Sequence, residues 1–340
     1  MYCVELNVTR EKWGVVGAGA WGTALASTLA HGGQDVLLWD RDPLVVDDIN
    51  RIGQNRKRYP DLRLHESIRA TQRMEQLAKE CELIVLAIPS EANAAVAALL
   101  AGHLGPQHGL IMTAKGLRES DGALLTEVWR ELAPDVKNMA VMTGPTFARE
   151  LMERRITTFL LAAMDGDFRA RIAESFMVDW VRIYEGTDIV GAQVGGAMKN
   201  ILAVAAGILD GLDMGHNARA AMLTRGLVEM ARFAKALGGR ESTVWGLAGM
   251  GDLLLTATSN LSRNYRFGQM VGRGMAVQEA KMKVGTVEGL LAARIITVQA
   301  QAHGLDLAIV SAVDGILHGD VTPLQAIEYL MKRPRVVEVG

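Results

Sequence analysis

The stretch WGVVGAGAWGTALA at residues 13–26 decides the fold class of this chain. A short apolar run precedes three glycines with the spacing Gly-x-Gly-x-x-Gly, at Gly17, Gly19 and Gly22, and a helical pattern follows them. A strand, a glycine-rich turn and a helix in this order are the context in which this motif binds a dinucleotide. Gly17 permits the tight turn, Gly19 lets the backbone approach a pyrophosphate, and Gly22 lets the helix pack on the strand. The sequence therefore predicts a pyrophosphate site at the start of this helix, held by its unpaired amides.

Beyond this motif, short apolar runs alternate with helical patterns through the first half of the chain. The predicted strands are residues 13–17, 36–40, 83–89, 109–114 and 139–143, and the predicted helices are 23–31, 44–51, 92–100 and 123–132. Residues 53–73 are polar and rich in arginine, which is typical of an insertion or a long loop. Continuous apolar strands that alternate with helices predict an α/β fold, a Rossmann-like doubly wound parallel sheet with helices on both faces.

The pattern changes after about residue 188. Helical patterns follow at 194–212, 218–237, 290–303 and 324–331, with no strand pattern between them. We therefore predict a dinucleotide-binding Rossmann domain at 1–188 and an all-helical, substrate-binding C-terminal domain at 189–340. A length of 340 residues agrees with two domains.

Charge, hydropathy and cysteine usage exclude several classes of protein. The chain has 36 basic and 38 acidic residues, so its balance of −2 predicts no nucleic-acid partner. The most apolar run, residues 201–209, is far shorter than the roughly 20 residues of a membrane span. Residues 1–12 lack the apolar core of a signal peptide, and Cys3 and Cys81 form no disulfide framework. Without a membrane span, a signal-peptide core or a disulfide framework, we predict a cytoplasmic location. The histidines lack the spacing of metal ligands, so we predict no metal.

Two residues at the end of the second predicted strand give opposing predictions for the cofactor. An acidic residue here usually accepts a hydrogen bond from the ribose 2′-hydroxyl of NAD, whereas an arginine accommodates the 2′-phosphate of NADP. This chain has both, Asp40 followed by Arg41. The choice between NADH and NADPH stays open, with a slight preference for NADPH.

Several residues are candidates for binding an anionic substrate. Ligands of open α/β sheets bind beyond the carboxyl ends of the strands, where Lys115 and the sequence GPTFA at 144–148 lie. Lys199 follows two glycines in an apolar helical pattern; it either exchanges protons as a partly desolvated amine or extends to solvent. Asp252, among glycines and apolar residues, needs a cationic partner. Residues 262–264 are typical of a helix N-cap with a basic first turn, which suits a phosphate, although a surface salt bridge of the arginine remains an alternative.

Taken together, these motifs resemble those of the bacterial-type NAD(P)-dependent glycerol-3-phosphate dehydrogenases, from about residue 13 to residue 331. The matching stretches are GAGAWGTALA at 17–26, AKGL at 114–117, GPTFARE at 144–150, GGAMKN at 195–200, NARAAMLTRGLVEM at 217–230, GLAGMGDLLLTATSNLSRNYRFG at 246–268 and VEG at 287–289. The resemblance implies an oxidoreductase that reversibly reduces dihydroxyacetone phosphate, a phosphorylated triose, to sn-glycerol 3-phosphate for glycerophospholipid biosynthesis. It also implies a homodimer, as does the prevalence of twofold symmetry among oligomers.

The resemblance further implies roles for individual residues. Lys199 would be the proton donor and acceptor, with Lys115 and Asp252 as further catalytic residues. The substrate would contact Lys115, Gly144, Thr146, Lys199, Asp252, Ser262, Arg263 and Asn264. In addition to the three glycines of the motif, the cofactor would contact Ala20, Trp21, Arg41, Lys115, Ala148, Arg263 and Glu288. The chain departs from the family in two places: the family often has no acid at the position of Asp40, and the segment before Glu288 is shorter than usual.

Two other functions stay open at this point. One is a dehydrogenase of the same architecture that acts on a 3-hydroxy acid such as a phosphogluconate-like compound; the stretch at 246–268 argues against it. The other is a non-catalytic nicotinamide sensor that binds a partner protein. That function would leave Lys199, Asp252 and Arg263 without a shared purpose.

Overall fold

A computed structural model of the chain describes residues 10–334. The chain divides into two compact units, Met1–Arg118 with Ala123–Gln193 and Glu119–Gly122 with Val194–Gly340. Cys3, most of the segment predicted to lack a signal peptide and the last six residues of the predicted second domain lie outside the described residues.

The first unit is built on one eight-stranded sheet. In chain order the strands are β1 (Lys12–Val16), β2 (Asp35–Trp39), β3 (Ile68–Thr71), β4 (Leu83–Leu86), β5 (Gly109–Met112), β6 (Asn138–Thr143), β7 (Thr157–Ala163) and β8 (Val181–Gly186). Their order across the sheet is β3-β2-β1-β4-β5-β6-β7-β8. All neighbouring pairs are parallel except β6 and β7, which are antiparallel. The predicted Rossmann-like class is confirmed, with the chain crossing over from one half of the sheet to the other after β3.

Seven helices of the described residues accompany this sheet. They are α1 (Ala20–His31), α2 (Pro43–Ile52), α3 (Met74–Glu80), α4 (Asn93–Leu100), α5 (Leu125–Leu132), α6 (Ala148–Met152) and α7 (Gly166–Ser175). The sheet is buried because its central strands are apolar on both faces: Val15, Val85 and Ile111 are fully inaccessible to solvent. Local signals fix the helix ends, as in α2, where the Asp42 carboxylate accepts a hydrogen bond from the Leu44 amide and Pro43 occupies the first turn.

The strand prediction for the first unit was wrong in two respects. The segment 53–73 is not only a loop, because its last residues form β3, which pairs with β2 at one edge of the sheet. The sheet also continues past the five predicted strands, through β7 and β8. In β8 exposed and half-buried residues alternate, so this edge strand lacks the continuous apolar run that identifies a central strand.

The second unit contains helices and no strand within its described residues, as predicted. The helices are α8 (Ile189–Gly211), α9 (Gly215–Ala236), α10 (Glu241–Val244), α11 (Asp252–Ala257), α12 (Arg263–Gly272), α13 (Val277–Val284), α14 (Glu288–Ala302), α15 (Ala308–His318) and α16 (Pro323–Met331), with a π-helical turn at Leu247–Gly251. In length and composition α8 would be able to cross a membrane, but 94% of its most apolar window is buried inside the protein. It is therefore a core helix.

Glycines let α8 and α12 touch backbone to backbone. A Cβ atom on Gly207 of α8 would lie 2.1 Å from the carbonyl oxygen of Tyr265, and one on Gly268 of α12 would lie 2.2 Å from that of Val204. The facing positions one turn further along are also glycines, Gly211 and Gly272. We call these four residues the glycine seam. Because no side chain separates the two helices, the seam holds α12 directly against α8.

A buried carboxylate, Glu229 of α9, caps the N-terminus of α15. It accepts hydrogen bonds from the amides of Ile309 (2.8 Å) and Val310 (3.2 Å). Burial raises the pKa of Glu229 from its ordinary 4.5 to about 7, although the two amides act in the opposite direction.

We expect this carboxylate to make the stability of the protein depend on pH. Between pH 4.5 and 7 the unfolded chain loses the Glu229 proton while the folded chain keeps it, so the free energy of unfolding falls as pH rises. The difference of about 2.5 pH units corresponds to about 3 kcal/mol. Urea unfolding at several pH values should show this loss in the unaltered protein, and Glu229→Gln should lack that part of the slope. Identical slopes for the two proteins would contradict the assignment.

Candidate active site

The glycine motif forms an open cradle at the start of α1. Gly17 has φ +105°, and a Cβ atom there would lie 2.7 Å from the carbonyl oxygen of Ala87. A Cβ atom on Gly22 would lie 1.9 Å from the Gly17 carbonyl oxygen, whereas around Gly19 no heavy atom comes within 4 Å. Gly17 and Gly22 are therefore required by packing, whereas Gly19 leaves open space above the N-terminus of α1. The cradle fits the pyrophosphate of a dinucleotide, as the sequence predicts.

Two residues that the sequence analysis missed hold this loop in place. The Asn55 side-chain amide donates to the Ala18 carbonyl oxygen and to Thr23 Oγ1, both at 2.9 Å. The Tyr59 hydroxyl donates to the Ala20 carbonyl oxygen at 2.9 Å. Asn55 is fully buried and Tyr59 is 2% exposed. They lie in the polar stretch 53–73, where no local pattern distinguishes them from its solvated residues.

We expect Asn55→Ala to weaken cofactor binding and to lower stability. The change leaves two buried acceptors without their donor, at a cost of about 2 kcal/mol in the free energy of unfolding. It also removes a support of the glycine loop, so titration of intrinsic fluorescence with NADH should show a higher Kd for NADH. The KM for the substrate that is reduced should change little. The milder variant Tyr59→Phe, which removes one hydrogen bond, should show a smaller effect on both quantities. An unchanged Kd in Asn55→Ala would show that the loop keeps its shape without this support.

Asp40 and Arg41, which give opposing predictions for the cofactor, follow β2 directly. Asp40 Oδ2 accepts a hydrogen bond from the Ala18 amide at 3.0 Å, and Asp40 Oδ1 accepts one from the Asp42 amide at 2.9 Å. The Arg41 side chain is exposed and its guanidinium forms no ion pair with any described residue. The carboxylate is thus fixed to the glycine loop, and the guanidinium is not fixed.

The ends of β5 and β6 bring three predicted substrate residues together. The Lys115 ammonium donates to the Gly144 carbonyl oxygen at 3.2 Å, and the Thr146 hydroxyl donates to the same oxygen at 3.3 Å. Gly144 has φ +144°, and a Cβ atom there would lie 2.9 Å from the Thr158 carbonyl oxygen of β7. This position is therefore reserved for glycine. Ala148 begins α6, directly after this group.

Trp21, a predicted cofactor residue, lies in the first turn of α1. Its ring centroid is 6.0 Å from that of Phe159 in β7, with the rings tilted by 53°. The Trp21 side chain is half-buried, so one part of the ring packs on the sheet and the other part remains accessible.

Lys199 and Asp252 form a buried ion pair in the second unit. Lys199 Nζ lies 3.1 Å from Asp252 Oδ1, and the two side chains are 8% and 1% exposed. The ammonium also donates to Thr256 Oγ1 at 2.8 Å, and the Thr256 hydroxyl lies 3.2 Å from Asp252 Oδ1. Of the two states that the sequence left open for Lys199, the structure has the desolvated one. Thr256, one helical turn after Asp252, was missed.

Glycines on both sides make this pair possible. A Cβ atom on Gly195, one turn before Lys199, would lie 2.6 Å from the Ala248 carbonyl oxygen in the π-helical turn. Within that turn, a Cβ atom on Gly249 would lie 2.1 Å from the Val244 carbonyl oxygen. The turn therefore packs directly on α8. This contact places Asp252, the first residue of α11, beside the Lys199 ammonium. π-helical turns are frequent at functional sites.

The start of α12 has the predicted cap. Ser262 Oγ accepts a hydrogen bond from the Tyr265 amide at 3.2 Å, which confirms Ser262 as the N-cap. The Arg263 guanidinium is exposed and forms no ion pair with any residue in 10–334, so the surface salt bridge considered above is absent from the part of the chain described. A phosphate could bind here, because the amides of a helix N-terminus, a serine hydroxyl and an arginine guanidinium all donate hydrogen bonds to phosphate oxygens.

Asn264 belongs to a hydrogen-bond network with Glu288. The Asn264 amide group donates to Asn200 Oδ1 at 2.8 Å, and the Asn200 amide group donates to Glu288 Oε2 at 2.8 Å. The Gly289 amide donates to Asn264 Oδ1 at 3.0 Å. Asn200, which was missed, thereby links a predicted substrate residue to a predicted cofactor residue. Among residues 10–334 no group of three or more His, Cys, Asp or Glu side chains is arranged to hold a metal ion.

Comparisons with known proteins agree over both units. The family model described as the NAD-dependent glycerol-3-phosphate dehydrogenase N-terminus matches residues 12–169, and the model of its C-terminus matches residues 188–328. Proteins named glycerol-3-phosphate dehydrogenase (NAD(P)+) from Xanthomonas oryzae pv. oryzae and Stenotrophomonas maltophilia are each 40% identical over 334 residues, 98% of each chain. A crystal structure of glycerol-3-phosphate dehydrogenase from Coxiella burnetii is 36% identical, with a TM-score of 0.90 over 95% of this chain and 99% of that one.

Proposed function

The chain belongs to the NAD-dependent glycerol-3-phosphate dehydrogenase family, and from this membership we propose how its residues carry out the reaction. The reaction is the reversible reduction of dihydroxyacetone phosphate to sn-glycerol 3-phosphate with NADH or NADPH. The observation that carries the residue assignment is the buried pair of Lys199 and Asp252, because a desolvated amine held by a carboxylate is equipped to move a proton.

The nicotinamide, when bound, supplies the hydride that C2 of the substrate accepts. Gly17, Gly19 and Gly22 hold the pyrophosphate at the start of α1, with Ala20 and Trp21 beside it. Ala148, Arg263 and Glu288 are further cofactor contacts in this proposal. The glycine cradle supports it through its shape and through the amides at the start of α1, which have no acceptor within the helix.

Lys199 delivers the proton. As hydride reaches C2, negative charge develops on the carbonyl oxygen; the ammonium stabilises that charge and then transfers a proton to the oxygen. Asp252 and Thr256 hold the ammonium in one position through their contacts at 3.1 and 2.8 Å. In the reverse direction the neutral amine of Lys199 accepts the hydroxyl proton. Lys115 adds positive potential next to Gly144 and Thr146, which contact the substrate.

The start of α12 binds the phosphate of the substrate. Arg263 has no anionic partner among the described residues, and Ser262 and the first amides of α12 provide further donors. Asn264 is held by Asn200 and Gly289, so it presents its backbone amide and its remaining side-chain proton in a fixed place. Binding energy from this distant phosphate orients the carbon that reacts.

The wider role follows from the product. We propose that this enzyme supplies glycerol 3-phosphate for glycerophospholipid biosynthesis in the cytoplasm and acts as a homodimer. Closed twofold symmetry is the commonest arrangement of soluble oligomers.

An assay with two substrates and two cofactors tests this function. Purified protein should oxidise NADH, NADPH or both when dihydroxyacetone phosphate is added, as followed by nicotinamide absorbance. Dihydroxyacetone, which lacks the phosphate, should give a much lower kcat/KM. Oxidation that requires no phosphate, or turnover of 3-hydroxy acids instead, would contradict the proposal. Cofactor binding without turnover of any of these compounds would favour a sensor.

A further inference from the structure

The Asp40 carboxylate occupies a fixed position at the carboxyl end of β2. Its two oxygens accept hydrogen bonds from two backbone amides, Ala18 at 3.0 Å and Asp42 at 2.9 Å. Ala18 lies between the first two glycines of the dinucleotide motif, so the carboxylate is anchored to the same loop that forms the pyrophosphate cradle. A carboxylate oxygen has two lone pairs, and each oxygen of Asp40 therefore keeps one acceptor position for a further donor.

The negative charge of Asp40 has no cationic partner among residues 10–334. Its neighbour Asp42 is different, because Asp42 Oδ2 pairs with the Lys57 ammonium at 2.7 Å. Arg41 does not neutralise Asp40: its guanidinium is exposed and forms no ion pair with any described residue. A ligand group that reaches the end of β2 therefore meets a fixed anion, and meets a cation only if the flexible Arg41 side chain is ordered at an entropic cost.

We propose that Asp40 makes this enzyme select NADH over NADPH, an inference that rests on the proposed dinucleotide site. The residue at the end of the second strand faces the adenosine ribose in this fold. A ribose 2′-hydroxyl donates to a free lone pair of the Asp40 carboxylate, whereas a 2′-phosphate places about two negative charges against it. Like charges in direct contact repel each other, so the 2′-phosphate weakens binding. This inference is opposite to the slight preference for NADPH that the sequence favoured.

Binding measurements test this selection apart from catalysis. Isothermal titration calorimetry should compare NADH with NADPH, and AMP with adenosine 2′,5′-bisphosphate. In each pair the compound with the 2′-phosphate should bind more weakly, by on the order of 10²-fold in Kd. Asp40→Asn removes the charge and keeps one acceptor, so it should bind NADPH about tenfold more tightly than the unaltered protein does. Adding Arg41→Ala to Asp40→Asn should remove that gain, because Arg41 is then the phosphate's partner.

Asp47→Asn is the matched control. It removes a carboxylate of α2 that pairs with Arg51 at 2.8 Å on the surface, so the ratio of the two Kd values should stay as in the unaltered protein. Equal or tighter binding of NADPH by the unaltered protein, or an unchanged ratio in Asp40→Asn, would overturn the inference. If neither cofactor binds, both the inference and the proposed function fail. If the ratio favours NADH but dihydroxyacetone phosphate is not reduced, the inference holds and only the proposed function fails.

Discussion

Replacing Lys199 with alanine lowers kcat for dihydroxyacetone phosphate reduction by about 10²–10⁴-fold in our account, the range typical of a proton-transfer group. Without the ammonium, no group of the Lys199–Asp252–Thr256 cluster stabilises the developing oxyanion and donates a proton to it. Steady-state kinetics at saturating cofactor measure the change. Cofactor Kd should stay near its original value, because Lys199 is not among the proposed cofactor contacts.

The variant also leaves the buried Asp252 without its partner, so stability must be measured alongside activity. Removing one member of a buried ion pair costs about 3–5 kcal/mol. A second variant, Lys199→Met with Asp252→Leu, removes both charges and should regain much of that stability while remaining inactive. Lys235→Ala is a control on the surface of the same unit, where the lysine pairs with Glu241 at 3.1 Å, and should be fully active. Near-normal turnover in Lys199→Ala would remove this residue from its role.

Gly207→Ala is expected to lower the free energy of unfolding by about 4 kcal/mol. The added Cβ atom would lie 2.1 Å from the Tyr265 carbonyl oxygen and 2.8 Å from the Gln269 amide nitrogen. Both neighbours are backbone atoms, so α8 and α12 have to separate, and overpacking of this kind exceeds the usual cost of an added methyl group. Urea unfolding measures the loss. Because α12 begins at the proposed phosphate site, KM for dihydroxyacetone phosphate should also rise.

A helical glycine outside the glycine seam provides the matched control. Gly315 of α15 is in the same unit, and a Cβ atom there would meet only side-chain atoms, the nearest 3.2 Å away. Gly315→Ala should therefore leave stability unchanged or raise it by up to about 1 kcal/mol, the difference in helix propensity. Equal effects of the two substitutions would contradict the close backbone contact in the glycine seam.

The parts of the fold that the sequence predicts are those that rest on local patterns. The strand-turn-helix at 12–31, the N-cap at Ser262 and four helices of the second unit, α8, α9, α14 and α16, follow from apolar spacing and capping residues. Strand β3 was missed because the exposed Arg69 interrupts its apolar residues, and β8 because it is an edge strand with few buried residues. In these two strands pairing with a neighbour, and not local pattern, determines the structure.

The supporting residues of the site were missed for a related reason. Asn55 and Asn200 contact groups that are 37 and 88 residues distant in the chain, and no spacing in one sequence indicates such contacts. Thr256 lies within one turn of Asp252, so helical spacing was a usable signal there. Lys199 and Asp252 were identifiable because charged side chains are conspicuous in apolar, glycine-rich surroundings, where they need a partner.

Hydride transfer to the substrate is the central claim, and a labelled cofactor tests it most directly. Protein incubated with dihydroxyacetone phosphate and NADH carrying deuterium on the transferred side of the nicotinamide should yield sn-glycerol 3-phosphate with one deuterium at C2. Mass spectrometry and proton NMR detect that label and its position. Product with this label supports hydride transfer to C2 by this enzyme. Bound cofactor that keeps its deuterium, with no glycerol 3-phosphate formed, would contradict the account.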